Sequence, residues 1–237
     1  MPGNRKQTYL QRKNYNMQVI EGLFNIVAPH ECLSCQKEGS LLCYDCGSGL
    51  VAPPPRCYMC RRWDDESRTC QTCRRHTSIH SLWTAANYEG TAKELLRHLK
   101  FERASAGAAT IAELLAKKCA AKGDFIISYI PTANKRVRER GYDQAYLIAR
   151  QLAGRLGRPC IPCLARTGSQ RQLGTSRQIR KQQMEGVFRP IKPEALKNKY
   201  ILLVDDVLTT GATCEAAARV LRQAGAKRVS AAVFAVA

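Results

Sequence analysis

Two adjacent acids and a threonine-rich turn follow one another in the segment YILLVDDVLTTGAT, residues 200 to 213. Four apolar residues predict a buried parallel strand, and Asp205 and Asp206 stand at its carboxyl end, where open parallel sheets bind their ligands. The turn then opens an alanine-rich helix, so its N–H groups and hydroxyls can converge on one anion, which the helix N-terminus also favours. We interpret this turn as a phosphate site made by Thr209, Thr210, Gly211, Ala212 and Thr213.

The paired acids extend this interpretation from a phosphate to a sugar phosphate. Asp205 and Asp206 can accept hydrogen bonds from the hydroxyls of a sugar, whereas a plain helix cap, the alternative for the turn, leaves both acids unexplained. The combination resembles the phosphoribosyl-pyrophosphate fingerprint of the type I phosphoribosyltransferases. Such enzymes stabilise cationic character at the anomeric carbon while pyrophosphate leaves, usually with magnesium. The resemblance makes Asp205 and Asp206 the candidate catalytic residues, and phosphoribosyl pyrophosphate with magnesium the candidate ligand.

Eight cysteines between residues 32 and 73 form four Cys-x2-Cys pairs. Two thiols at this spacing can present both sulfurs to one ion, and a second pair completes a tetrahedral zinc site. Such sites are closed to substrate, so we expect two structural zinc ions that supply folding energy to a segment with little apolar content. Consecutive pairing, favoured by a proline run between the quartets, and interleaved pairing both fit the spacing. The predicted ligands are Cys32, Cys35, Cys43, Cys46, Cys57, Cys60, Cys70 and Cys73.

Basic residues are in large excess, with 38 Lys plus Arg against 19 Asp plus Glu and a net charge of +19. This excess predicts a polyanionic partner, which could be nucleic acid, an anionic membrane surface or a phosphate-rich small molecule. Lys100, Arg138 and Arg140 are candidates for the pyrophosphate side of the site. The candidates for a groove that binds single-stranded nucleic acid are Lys135, Arg136, Arg171, Arg177, Arg180 and Lys181.

Strands and helices alternate from about residue 80 onwards, which predicts a parallel sheet with helices on both faces. We expect strands at 81–88, 124–130, 200–206 and 228–236, and helices at about 91–100, 104–121, 141–156 and 211–224. The predicted fold is therefore α/β, and resemblance to known families implies a type I phosphoribosyltransferase-like sheet preceded by a small double zinc ribbon. The expected domains are a basic tail at 1–16, a short helix at 17–30, the double zinc ribbon at 31–78 and the sheet domain at 80–237.

Length and composition limit the number of domains and argue against a membrane or secreted protein. A chain of 237 residues that is 45% apolar and 24% charged can fold around one ordinary core and a small satellite module. The apolar stretch at 229–237 is too short to cross a bilayer, and the basic N-terminus has no apolar region behind it, so we expect neither membrane insertion nor secretion. Twelve cysteines without a secretory signal are expected to be thiols or metal ligands in the cytoplasm.

Together these motifs resemble the ComF family of competence-associated, phosphoribosyltransferase-like proteins. The resemblance covers about residues 20 to 237 and includes the four cysteine pairs, LKF, RERGYDQA, the loop around Gln170, Leu173 and Phe188, and LLVDDVLTTGAT. It implies that Pro131, Thr132 and the segment 138–141 form the pyrophosphate side of the site. It also implies that the protein handles single-stranded DNA during natural transformation, and it suggests a DNA-uptake helicase as a further partner.

Three functions remain open at this point. The first is a ComF-type transformation factor that binds single-stranded DNA on its basic face and phosphoribosyl pyrophosphate with magnesium in the phosphate turn. The second is an active phosphoribosyltransferase in nucleobase salvage, which the intact acid pair favours. The third is a non-catalytic regulatory or docking protein that retains the phosphate turn as a sensor.

Overall fold

The computed structural model describes residues 30–102, 104–119, 124–167 and 186–237. The chain divides into two compact units, residues 1–48 and 49–237. The predicted tail at 1–16 lies outside the described residues, as does the predicted helix at 17–30 apart from its last residue. The second cysteine quartet, at residues 57–73, belongs to the same compact unit as the sheet.

A four-stranded parallel sheet forms the centre of the second unit. In chain order its strands are β1 (Ile79–Asn87), β2 (Ile126–Tyr129), β5 (Tyr200–Leu208) and β6 (Arg228–Val236), and they lie side by side in the order β1-β6-β5-β2. Two further strands, β3 (Leu164–Arg166) and β4 (Phe188–Pro190), pair antiparallel in a separate two-stranded sheet. The predicted parallel sheet is confirmed, and the short pair β3 and β4 is an addition that the sequence patterns did not indicate.

Six helices are found in the described ranges. They are α1 (Tyr44–Ser48), α2 (Gly90–Phe101), α3 (Ala104–Lys118), α4 (Asn134–Arg140), α5 (Gln144–Leu156) and α6 (Ala212–Gln223). Short 3-10 turns lie at Cys73–Arg75 and Pro193–Leu196. None of the helices in the described part of the chain is long and apolar enough to cross a membrane.

The helices cover the sheet because their apolar residues recur at helical spacing. In α2 the buried residues are Ala92, Leu95, Leu96 and Leu99, and α5 and α6 repeat this pattern. Ile201 and Leu203 of β5 belong to the core cluster that contains the buried residues of α6. The alternate side chains of β5 point to the opposite face, where α3 and α5 pack on each other and on the sheet.

The register of the sheet brings two loops to one edge. Tyr129, the last residue of β2, lies opposite Val204, and the Ile130 amide donates to the Val204 carbonyl at 3.0 Å. The residues after β2, from 131 onwards, therefore stand beside Asp205 and Asp206. This is the carboxyl end of the parallel strands, where the sequence analysis placed the ligand.

The segment after β2 differs from the prediction of one helix starting near residue 141. Residues 134–140 form α4, which ends at Gly141 in the left-handed conformation (φ +83°). A new helix, α5, then starts at Gln144 with Asp143 as its N-cap, and the Asp143 side chain accepts hydrogen bonds from the amides of Ala145 and Tyr146. The seven residues of α4 are mostly charged and show no apolar periodicity, so hydrophobic patterning did not predict this helix.

The close approach of α2 and α3 generates a stability prediction. A Cβ at Gly107 would lie 3.1 Å from Leu99 Cα and 3.2 Å from Leu99 N, so the two helix backbones can meet here only over a glycine. We expect Gly107→Ala to be at least about 1 kcal/mol less stable than Gly154→Ala, because inserting a carbon into a packed contact typically costs about 1–3 kcal/mol. Gly154 is the control, since it is also helical but has no atom within 4 Å of an added Cβ.

Thermal unfolding of the two variants tests this contact. Gly154→Ala should be as stable as the unmodified chain or more stable, since alanine favours the helix by up to about 1 kcal/mol. A Gly107→Ala protein with the same gain in stability would show that the helix pair is not tightly packed at Leu99.

Candidate functional site

Asp205 and Asp206 lie near the end of β5 and are bound by side chains from two other segments and by amides of their own strand. Asp206 Oδ2 lies 2.9 Å from Lys100 Nζ, in a contact where the side chains are only 14% and 20% exposed, respectively. Gln144 Nε2 donates to the same oxygen at 3.5 Å, and Asp206 Oδ1 accepts from the Val207 amide at 2.8 Å. Asp205 Oδ1 accepts from the Asp206 amide at 2.9 Å. The pair is thus fixed in orientation before any ligand arrives.

The two carboxyls have different electrostatic environments. Burial raises the pKa of Asp205 well above its usual range, and the adjacent charge of Asp206 acts in the same direction. Burial also opposes ionisation of Asp206, but the ammonium of Lys100 outweighs it and lowers the pKa of Asp206. Ionisation is therefore more favourable at Asp206, beside Lys100, than at Asp205.

A polar chain continues from Asp206 to the surface. Arg140, at the end of α4, donates to Gln144 Oε1 at 2.9 Å, and Gln144 in turn reaches Asp206. The guanidinium carbon of Arg140 also stands 5.3 Å from the ring centroid of Phe101, a side chain that is 69% exposed. Lys100 and Phe101 are the last two residues of α2, so one helix end supplies both the inner cation and the outer aromatic ring.

The position of Lys100 depends on the residue before it. The Leu99 carbonyl accepts a hydrogen bond from the Tyr142 hydroxyl at 2.7 Å, which ties the end of α2 to the turn between α4 and α5. Leu99 is fully buried and also contacts Gly107. The cation of the site is therefore held by backbone packing as well as by its acidic partner.

The predicted phosphate turn follows β5 directly. Thr209 and Thr210 are exposed, and Gly211 is the N-cap of α6 in the left-handed conformation (φ +76°), which glycine adopts without strain. The Ala212 amide lies 3.4 Å from Thr210 Oγ1, and the Glu215 amide donates to the Gly211 carbonyl at 2.9 Å. The turn has the exposed hydroxyls that an anion site needs, and residues 209–213 lead directly into the N-terminus of α6, which favours an anion.

The loop after β2 carries the residues that the resemblance assigned to pyrophosphate. Asp143 accepts hydrogen bonds from both the amide and the hydroxyl of Thr132, each at 2.9 Å. Burial raises the pKa of Asp143 although these donors act in the opposite direction. The Pro131 carbonyl accepts from Arg166 at 3.3 Å. Thr132 is thus held in place by Asp143, and pyrophosphate binding by Pro131 and Thr132 stays a prediction.

The predicted basic residues fall into two groups. Lys135, Arg136 and Arg138 are exposed on α4, where Lys135 Nζ lies 3.9 Å from Glu139, a long surface contact. Arg138 and Arg140 are in the last turn of α4 and so belong to the segment after β2, which stands beside the acid pair. The remaining candidates, Arg171, Arg177, Arg180 and Lys181, lie outside the described residues.

Sequence reasoning missed three residues that organise the site. Gln144 and Asp143 lie inside the RERGYDQA motif, which was noted as a whole without roles for these side chains. Their signal was the polar pair Asp-Gln immediately before an apolar helical pattern, which is typical of an N-cap. The third residue, Tyr58, gave no signal of its own, because it reaches the phosphate turn only in the folded unit.

The eight predicted cysteine ligands form two groups in the structure. The ligand atoms of Cys32, Cys35, Cys43 and Cys46 all lie within 4.8 Å of one another, and those of Cys57, Cys60, Cys70 and Cys73 do so as well. The consecutive pairing is therefore confirmed and the interleaved alternative is excluded.

The sulfur spacing in both groups fits zinc. Cys35 and Cys43 have their sulfurs 3.7 Å apart, and Cys60 and Cys70 have theirs 3.6 Å apart. Four sulfurs at about 2.3 Å from a tetrahedral zinc ion stand about 3.8 Å from each other. Burial opposes ionisation of Cys32 and Cys57, but backbone N–H groups lower the pKa of these thiols to about 6 and about 7. Such thiols are prepared to bind a metal ion as thiolates near neutral pH.

The acid pair fits magnesium by the chemistry of its donors. Mg²⁺ prefers oxygen ligands and is commonly held by one or two carboxylates together with substrate phosphates. Asp205 and Asp206 offer carboxylate oxygens beside a turn suited to phosphate. When bound, magnesium would neutralise charge on the leaving pyrophosphate, while the residues of the chain orient the sugar.

Metal content gives a direct test of the quartets. We expect the purified protein to hold two zinc ions per chain, and we expect Cys35→Ser and Cys60→Ser each to reduce the content to about one, since a lost thiolate opens a four-ligand site. Cys160→Ser is the matched control. It removes a thiol from another Cys-x2-Cys pair, 160 and 163, that is in neither cluster. Unchanged zinc content in the Cys60→Ser variant, measured by elemental analysis, would contradict the assignment.

Comparison with known proteins identifies a domain in the C-terminal part of the chain. Residues 139–236 match the family described as phosphoribosyl transferase domain. The match includes α5, the acid pair, the phosphate turn and β6, and it leaves the cysteine clusters outside.

Three relatives extend the similarity beyond this domain. Competence protein ComFC of Bacillus subtilis is 29% identical over 201 residues, which are 80% of this chain and 81% of the relative. DNA utilization protein YhgH of Escherichia coli O6:H1 is 30% identical over 160 residues, 62% of this chain and 68% of the relative. Competence protein F of Haemophilus influenzae is 25% identical over 228 residues, 91% of this chain and 94% of the relative. With the double cysteine quartet, the acid pair and the threonine turn in one chain, this protein belongs to the ComF family of competence and DNA-utilization proteins.

Proposed function

We propose that this protein is a DNA-transformation factor that binds phosphoribosyl pyrophosphate with magnesium at the carboxyl edge of its sheet and single-stranded DNA on its basic face. The observation that carries the proposal is the ion pair between Lys100 and Asp206, which lies beside the phosphate turn. Paired carboxyl groups can bind magnesium, and a cation beside them can contact the phosphates of a magnesium-bound sugar diphosphate.

Different segments contact different parts of phosphoribosyl pyrophosphate. The turn at 209–213 receives the 5′-phosphate, and Asp205 and Asp206 accept the ribose hydroxyls or bind magnesium. Lys100 and Arg140 supply positive charge on the side of β2, where the loop at 131–133 faces the pyrophosphate. Because Lys100 is already bound to Asp206, positive charge is present at the site without any rearrangement of the chain.

Single-stranded DNA is proposed for the surface formed by α4 and Phe101. Helix α4 exposes Lys135, Arg136 and Arg138 with one acid, Glu139, among them. Phe101 offers an exposed ring beside the guanidinium of Arg140, and a base can stack on such a ring while phosphates contact the cations. The names of the relatives, competence proteins and DNA utilization proteins, support a nucleic acid partner.

A phosphoribosyl transfer reaction is the second candidate function. The favourable observation is that the acid pair, Lys100 and the phosphate turn are all present together. Release of pyrophosphate on incubation with phosphoribosyl pyrophosphate, magnesium and a panel of nucleobases would establish this activity. Binding of the ligand without release of pyrophosphate by any base would argue against a salvage enzyme and favour a non-catalytic role for the site.

Calorimetry tests the phosphoribosyl pyrophosphate site. We expect the ligand to bind in the presence of magnesium, and Asp206→Asn to weaken it about 10- to 100-fold, because a hydrogen bond to a charged group contributes about 1.5–3 kcal/mol. Asp124→Asn is the control, since Asp124 is an almost fully exposed acid paired with Arg158. No binding by the unmodified protein, or equal affinity in the folded Asp206→Asn variant, would overturn the proposed ligand.

The DNA surface makes a prediction about salt dependence. Replacing Lys135, Arg136 and Arg138 with Gln should lower the slope of log affinity against log salt by about 2, since each phosphate contact on single strands contributes about 0.7. Phe101→Ala should instead weaken binding about 5- to 100-fold with the slope unchanged, because stacking contributes about 1–3 kcal/mol per base. Fluorescence anisotropy with a labelled oligonucleotide measures both quantities.

The control removes the same charge from the other end of the sheet. Lys197, Lys199 and Lys227 are exposed and stand just before β5 and β6, at the amino ends of these strands. Their replacement with Gln should leave the salt slope near that of the unmodified protein. Equal loss of slope in the two triple variants would mean that DNA responds to net charge and not to the α4 surface.

A further inference from the structure

A tyrosine follows the first cysteine in two of the Cys-x2-Cys pairs, but the two tyrosines have different surroundings. Tyr44, between Cys43 and Cys46 of the first quartet, is 72% exposed. Tyr58, between Cys57 and Cys60 of the second quartet, is partly buried against the phosphate turn. A Cβ at Gly211 would lie 3.6 Å from the Tyr58 ring, so this ring is in contact distance of the residue that starts α6.

The hydroxyl of Tyr58 is bound on the same side. It donates to Glu215 Oε2 at 2.8 Å and lies 2.6 Å from Thr77 Oγ1. The Thr77 hydroxyl donates to the same glutamate oxygen, and the Ser78 amide donates to Glu215 Oε1 at 2.8 Å. Glu215 is thus held by three donors from residues 58, 77 and 78.

Glu215 is placed where its orientation affects an anion. It lies in the first turn of α6, and its amide donates to the Gly211 carbonyl. A carboxylate in the first turn can cap the N–H groups of its own helix start, the same groups that would bind a phosphate. Donors from residues 58, 77 and 78 occupy both carboxylate oxygens, so these oxygens are bound to the cysteine segment and to the start of β1.

The local structure of the second quartet determines where Tyr58 stands. The Cys57 amide donates to the Arg62 carbonyl and the Arg61 amide to the Cys57 carbonyl, each at 2.8 Å, and Cys57 is fully buried. The first quartet repeats this turn, with the Cys32 amide on the Lys37 carbonyl and the Gln36 amide on the Cys32 carbonyl. In that repeat Leu33 occupies the position of Tyr58 and has no hydroxyl. The contact with Glu215 is therefore particular to the second quartet.

We propose that metal binding by Cys57, Cys60, Cys70 and Cys73 positions the phosphate turn, with Tyr58 as the positioning residue that transmits it through Glu215 and Gly211. The second quartet is then a regulatory metal site for anion binding, whereas the first quartet is not. This inference rests on the proposed function for its ligand, but the order of the turn can be measured without any ligand. Loss of the metal frees residues 57–60 from their fixed geometry, and the start of α6 then loses the Tyr58 contacts that hold Glu215 and Gly211 in place.

Hydrogen exchange in the absence of ligand is the primary experiment. In the full chain with both sites loaded, Tyr58→Ala should raise the exchange of amides at 211–215 about tenfold or more, because it removes a hydrogen bond to the Glu215 carboxylate and the ring contact at Gly211. Tyr58→Phe keeps the ring on Gly211 and loses the hydroxyl, so it should show an intermediate increase. Tyr44→Ala is the matched control and should leave exchange at 211–215 unchanged. Zinc content should stay at two per chain in all three variants.

Metal removal from one quartet gives the second measurement. Cys60→Ser should raise exchange at 211–215 and weaken binding of ribose 5-phosphate, a probe that carries the 5′-phosphate without pyrophosphate. Cys35→Ser should change neither quantity. Because Cys60→Ser could unfold more than the turn, Tyr58→Ala with both metals bound separates positioning from general loss of structure.

The outcomes distinguish this inference from the proposed function. Equal exchange at 211–215 in Tyr58→Ala and Tyr44→Ala overturns the inference even if phosphoribosyl pyrophosphate binds. Increased exchange in Tyr58→Ala together with no binding of phosphoribosyl pyrophosphate by the unmodified protein preserves the coupling and overturns the ligand. Increased exchange together with ribose 5-phosphate affinity lowered about tenfold supports both.

Discussion

The ion pair between Lys100 and Asp206 is the interaction on which the site depends. It joins the end of α2 to the end of β5 in a setting that is mostly shielded from water, where an unpaired carboxylate or ammonium would be costly. Each partner is placed by packing that is independent of the other. Lys100 follows the buried Leu99, which contacts Gly107 and Tyr142, and Asp206 lies in β5, the strand between β2 and β6. The opposite pKa shifts of the two acids follow from this geometry. Lys100 lies next to Asp206 and lowers its pKa, whereas burial dominates at Asp205 and raises its pKa.

The two cysteine quartets are alike as metal sites and different in their surroundings. Both have sulfurs at the spacing of tetrahedral zinc, and both begin with the same hydrogen-bonded turn. The second belongs to the compact unit of the sheet, and its Tyr58 reaches the start of α6. A closed metal site has no position for a substrate, but it can fix the geometry of a side chain that touches the substrate site. The proposed coupling through Tyr58 would give the cysteine region a role in anion binding besides folding.

The basic surface and the phosphate site are arranged as neighbours on the same edge. Arg140 belongs to both, since it donates to Gln144 within the site and stands beside the exposed ring of Phe101 outside it. A nucleic acid held on α4 would therefore lie next to the entrance of the sugar-phosphate site. This proximity offers a physical basis for one ligand to affect the other, through Arg140 and Gln144, in a family whose relatives bear the names of competence and DNA utilization proteins.

The sequence by itself determined the elements whose signals are local. The apolar run before Asp205 and Asp206 predicted a parallel strand, the Thr-Thr-Gly-Ala-Thr turn predicted a helix start, and the Cys-x2-Cys spacing predicted two metal sites. The consecutive pairing was preferred from the proline run, but only the folded chain decided between it and the interleaved alternative. Helix α4 was missed because its seven residues are mostly charged and have no apolar periodicity. The sequence showed that this segment is basic, but not that it is helical.

Tertiary structure alone decided which groups meet. Lys100 and Asp206 are 106 positions apart, and Tyr58 and Glu215 are 157 positions apart, so no spacing rule connects them. The pKa difference between two adjacent aspartates also needed the fold, since both have the same sequence neighbours and differ only in burial and in the cation beside them. Local patterns determine strands, turns and Cys-x2-Cys pairs because backbone geometry depends on neighbours in sequence. Electrostatics and side-chain packing depend on partners that only the sheet topology brings together.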